Sequence, residues 1–63
     1  MSHEMDIENT TKAVQTADLL LADLQELNRG GNALVSLLVL SEIEKIAEVK
    51  ARLESILFAL KVV

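Results

Sequence analysis

Only one place in the chain breaks a helical pattern. Residues 28–32 read NRGGN, the sole point where two glycines meet, and on either side apolar residues recur at helical spacing. Proline is absent, so no second break is imposed, and the dominance of Leu, Ala, Val, Ile, Glu and Lys favours helix over strand. The expectation is an all-α chain with one helix over residues 7–28, a turn at 29–32 and a second helix over 33–61. Asn28, Arg29 and Gly30 form a stop signal: Gly30 is expected to take the left-handed conformation, and Arg29 complements the negative helix end. Asn32 is expected to cap the second helix. So short a gap predicts an antiparallel helical hairpin. The competing reading is a flexible joint between two binding segments, because paired glycines lower the cost of opening.

In the first helix, Ile7, Val14 and Leu21 fall at heptad position a, Thr10, Ala17 and Leu24 at d, and Ala13, Leu20 and Leu27 at g. These form one apolar stripe. The opposite face carries Glu8, Lys12, Gln15, Thr16, Asp18, Asp23 and Glu26, with Leu19 and Ala22 as its apolar exceptions. Asp6 is the expected N-cap, residues 1–5 are expected to fray, and Glu8 with Lys12 forms an i,i+4 pair.

The second helix has more apolar surface than the first can cover. Its core stripe places Val39, Ile46, Leu53 and Leu60 at a, Val35, Val49, Ile56 and Val63 at d, and Ile43 and Leu57 at e. A second line, turned by about 100° on a helical wheel, runs through Leu37, Leu40, Ala47, Ala51, Phe58 and Val62, with Ala33 near its start. The hairpin core is therefore expected from Val14, Ala17, Leu20, Leu21, Leu24 and Leu27 against Val39, Ile43, Ile46, Val49, Leu53, Leu57 and Leu60. Leu37, Leu40, Ala47, Ala51, Phe58 and Val62 are left over. Soluble monomers rarely leave such a strip in water, and two hairpins packed along it make a homodimeric four-helix bundle. Burial of some hundreds of Å² per chain at about 25 cal/mol per Å² stabilises by several kcal/mol.

Size agrees with that need. Sixty-three residues make one domain in a range where a single core is marginal without disulfides, metal or a partner. Cysteine is absent, which removes thiolate chemistry and suits a reducing cytoplasm. The net charge is −4, and the first helix carries most of the excess acid, so broad nucleic-acid or anionic-membrane binding is disfavoured. The acidic opening MSHEMDIENTTK is unlike the basic start of a secretory signal. The runs ALVSLLVL and ILFALKVV fall far short of the roughly 20 residues that span a bilayer, so no transmembrane segment is expected.

No catalytic, cofactor-binding or metal-binding group emerges. His3, the single histidine, lies beside Glu4 near the terminus, and one histidine with one carboxylate is not a metal site. Ser36, Ser41 and Ser55 lack a histidine to act as base and read as ordinary helix-surface residues. Glu42, Glu44 and Glu48 crowd one segment, but carboxylate-bridged metal bundles need Glu-x-x-His pairs, which this chain cannot supply. With Glu48 and Arg52 paired and Lys45, Lys50 and Lys61 interspersed, that segment reads as a solvated face. Glu42 is set among Val35, Val39 and Val49; it either reaches to the rim or pairs with a lysine and fixes register. Phe58 is the lone aromatic, read as an interface residue or as an anchor for another protein. Base stacking has no Tyr or Trp to use.

Taken whole, the chain that opens MSHEMDIENTTKAVQTADLLLADLQELN, turns at RGGN and closes on ILFALKVV resembles the small early proteins encoded between the exonuclease and excisionase genes of lambda-like bacteriophages. The resemblance has no diagnostic motif, so it assigns no residue a role. It implies a non-enzymatic regulatory protein in the infected bacterium's cytoplasm that binds a host or phage protein and influences host cell cycle and the choice between lysis and lysogeny. From the residues alone, two readings stand. The first is an interaction protein that self-associates and docks through its acidic helix face or its C-terminal apolar segment. The second is a nucleic-acid-binding helical bundle using Lys45, Lys50, Arg52 and Lys61. A membrane-surface role for ILFALKVV is a weaker third, opposed by the net charge.

Overall fold

The computed structural model describes residues 3–62. Val63, placed at a d position by the heptad count, lies outside the described residues. Two helices account for the fold: α1 Glu4–Asn28, of 25 residues, and α2 Ala33–Val62, of 30 residues. At 1.5 Å per residue they measure about 37 and 45 Å, so α2 overhangs its partner by less than the sequence leads one to expect. They pack as a hairpin within an envelope of 50 × 14 × 11 Å.

α1 begins at Glu4, ahead of Asp6, so Asp6 is not the cap. The residue at the cap position is His3, which makes no side-chain cap hydrogen bond. Instead Glu4 and Asp6 lie within the first turn, where carboxylates complement the positive helix end.

The turn is tight, and its left-handed residue is Gly31, with φ +83°, rather than Gly30. Arg29 keeps right-handed helical angles, and its N–H donates to the carbonyls of Gln25 and Glu26 at 3.1 Å. The helical geometry thus runs one residue further before the chain reverses. Asn32 caps α2 as its side chain predicts: Oδ1 accepts from the N–H groups of Leu34 at 3.0 Å and Val35 at 3.1 Å. Ser36 then reaches back, its hydroxyl donating at 2.8 Å to the carbonyl of Asn28 at the end of α1. One helix terminus is satisfied by the next helix, which closes the reversal more firmly than glycine freedom implies.

Where the helices meet, the packing line is narrow. Among the described residues the seam on α1 runs through Ile7, Thr10, Val14, Ala17, Leu21, Leu24 and Asn28, and on α2 through Ser36, Val39, Ile43, Ile46, Lys50, Leu53, Leu57 and Leu60, with Thr11, Ala13 and Val35 half-buried at its edges. Both lines step alternately by three and four residues, a two-position seam per heptad. Among the described residues only Ala17 and Val39 are buried, at 8% and 6% exposure. The wider core expected from the sequence is corrected at three places: Leu20, Leu27 and Val49 lie outside the seam at 42%, 52% and 44% exposure, as does Ile56 at 50%. The physical reason is that one helix covers only two positions per heptad of its partner. The third apolar position needs another layer.

Candidate interaction surfaces

The seam divides the hairpin into two unlike sides. In an antiparallel pair, the residue just before each first seam position on one helix lies on the same side as its counterpart on the other. That side collects Ala13, Leu20 and Leu27 from α1 and Val35, Glu42, Val49 and Ile56 from α2. The opposite side takes Thr11, Asp18 and Gln25 from α1 and Leu40, Ala47, Glu54 and Lys61 from α2.

The polar side is tied across by Lys50 and Asp18, 2.5 Å apart. Lys50 occupies a seam position and is half-buried, whereas Asp18 is exposed. The hydrogen bond from the ammonium to Asp18 and that carboxylate's charge hold the Lys50 pKa above its ordinary value; burial opposes them and the charge of Glu54 adds a smaller push upward. Sequence reading set Lys50 on a solvated face. Its spacing from Val39, Ile43 and Ile46 is the signal for a seam position, which the charge obscures because lysine is almost never fully buried unless paired.

The strip expected to carry self-association lies off the seam. Leu40 and Ala47 flank the polar side, while Leu37, Ala51, Phe58 and Val62 lie further round α2; Leu37 and Phe58 are each 69% exposed. The exposed large apolar residues also include Met5, Leu19, Leu34 and Leu38, so Leu19 stands out from the acidic face of α1 as expected. Large apolar side chains are thus exposed on two faces of the hairpin, while the seam leaves most of its own members half-buried. The total accessible surface is 4854 Å², against about 4,000 Å² for a compact monomer of this mass.

The charged residues form local pairs. Lys45 lies 3.7 Å from Glu42, Lys12 lies 3.6 Å from Glu8, Arg29 lies 2.7 Å from Glu26, and Arg52 pairs with Glu48. Glu42 thus meets a lysine, one of its two expected fates, but both side chains are exposed, and surface pairs of this kind contribute little. Three of the four cations needed for a nucleic-acid surface, Lys45, Lys50 and Arg52, face carboxylates of the same chain, and Lys61 stands in the last turn of α2. Ser55 donates to the Ala51 carbonyl at 3.2 Å, while Ser41 is exposed; Ser36, half-buried at the turn, is structural rather than an ordinary surface residue. His3 is exposed beside the start of α1. Among the described residues there is no group of three or more His, Asp or Glu suited to a metal ion, no pocket, and no helix long and apolar enough to cross a membrane.

Compared with known proteins, the chain matches no family model, no curated sequence and no solved structure.

Proposed function

We propose that the chain is a non-enzymatic interaction protein that self-associates into a dimeric four-helix bundle and acts by binding another protein. Its resemblance to early phage proteins makes that target a host or phage protein and the role a regulatory one, in the cytoplasm of the infected bacterium. The observation that carries this reading is the mismatch between a seam with two buried residues and apolar side chains exposed along two faces of α2. Hydrophobic surface of that extent on so small a chain marks association.

Sedimentation equilibrium over a wide concentration range tests the self-association. A reversible dimer is expected, and a folded monomer at every concentration overturns it. Capture with the immobilised chain at low and high salt tests the class of target. A protein partner held through apolar surface persists as salt rises; recovery of nucleic acid that is lost steeply with salt overturns the protein-binding reading, because phosphate contacts release counterions.

A further inference from the structure

We infer that a second copy of this chain docks on the apolar side of the seam, centred on Leu20, Leu27, Val49 and Ile56, with α1 of each protomer over α2 of its partner and both turns at one end. The inference rests on the self-association proposed above and adds the face and orientation. It differs from the assignment of self-association to the Phe58 strip, which this arrangement leaves exposed for another protein.

Continuity with the core selects the face. Leu20, Leu27, Val49 and Ile56 are 42–52% exposed, already half packed, and they border a seam that is itself mostly half-buried. A layer laid against them completes the burial of both. Phe58 and Leu37 project further from the seam, and the Lys50–Asp18 bridge lies on their side of it. A layer centred on them meets the seam only through Leu40 and Ala47, beside the Lys50–Asp18 bridge. The elongated hairpin exposes on the order of 800 Å² more than a compact monomer of this mass, an excess comparable to what one partner contributes to a standard interface.

Charge selects the orientation and favours a second copy as occupant. The outer margin of this side carries Lys45 and Arg52 on α2 and Asp23 on α1. With the turns together, the α2 margin that carries Lys45 and Arg52 faces the partner's α1 margin, where Asp23 lies about one helical turn closer to the turn than Lys45, and every neighbouring pair of helices runs antiparallel. Stacking α2 on α2 with the turns apart instead sets Lys45 against Arg52 across the interface, a like-charge juxtaposition that disfavours it. The one residue at odds with an apolar layer is Glu42, whose exposed carboxylate turns toward Lys45 at the rim.

The test compares Ile56→Gln, Phe58→Gln and Glu42→Leu with the unaltered chain by sedimentation equilibrium, with helicity monitored by circular dichroism. Ile56→Gln is expected to weaken the dimer by about tenfold or more, Glu42→Leu to tighten it, and Phe58→Gln to leave it unchanged. Weakening by Phe58→Gln with no effect of Ile56→Gln overturns the face while self-association stands. A monomeric unaltered chain overturns both. A second measurement does not depend on disruptive variants: the chain has no cysteine, so single thiols at Val49→Cys and Phe58→Cys report burial. Alkylation at position 49 should slow by about tenfold across the concentration range of dimerisation, with position 58 constant; the reverse pattern overturns the assignment.

Discussion

Lys50 concentrates the conflict between burial and charge in this fold. It takes a seam position that pattern alone assigns to an apolar residue, and its ammonium is held by Asp18. Asp18→Asn is expected to lower Tm, since a half-buried ammonium loses its partner, whereas Lys50→Met should hold or raise it by continuing the seam. The pH dependence has a definite sign. A pKa raised in the folded state adds stability that is fully present below the ordinary lysine value of 10.5 and is lost as pH rises through the folded value. The Tm gap between the unaltered chain and Asp18→Asn should therefore be constant around neutrality and close above that pH. At the turn, Gly31→Ala should cost about 1 kcal/mol in chemical denaturation because of its positive φ. Gly30→Ala should cost less, its Cβ meeting only the Leu27 carbonyl at 3.3 Å.

At the scale of elements, α2 depends on both ends of a short turn. Asn32→Ala removes the acceptor for two amides and should cost about 1 kcal/mol, with Asn32→Asp retaining most of the stability. Ser36→Ala leaves the Asn28 carbonyl without its hydroxyl donor and should cost a similar amount, about 1 kcal/mol, measured in the same way. The cap at Asn32 was legible because it depends on a side chain and the next three residues. The Ser36 bond was not, since it joins positions eight apart across a reversal whose path local spacing does not specify. Likewise the start of α1 at Glu4 depends on a dipole interaction spread over a turn, which marks no single residue.

For the whole molecule, an elongated hairpin 50 Å long and 11 Å thick has one packed layer and two unlike sides. If the dimer supplies the missing layer, Tm must rise with protein concentration, because association draws the folded state by mass action. A Tm independent of concentration over two or more decades, read by circular dichroism, would count against the bundle. Added salt should shift that Tm little, since the apolar layer dominates and the marginal ion pairs are screened.

The amino-acid sequence alone determined that there are two helices, where they break, which residues carry their apolar stripes, and that α2 has more apolar surface than α1 can cover; each follows from spacing and local capping chemistry. Only the tertiary structure decided which third of each stripe is excluded from the seam. Periodicity gives the width of an apolar face but not the side on which a neighbour lies, and the pairing of Lys50 with Asp18 closes one side of this hairpin while Leu20, Leu27, Val49 and Ile56 leave the other apolar. That asymmetry arises from the register between two helices, a relation that no single helix contains.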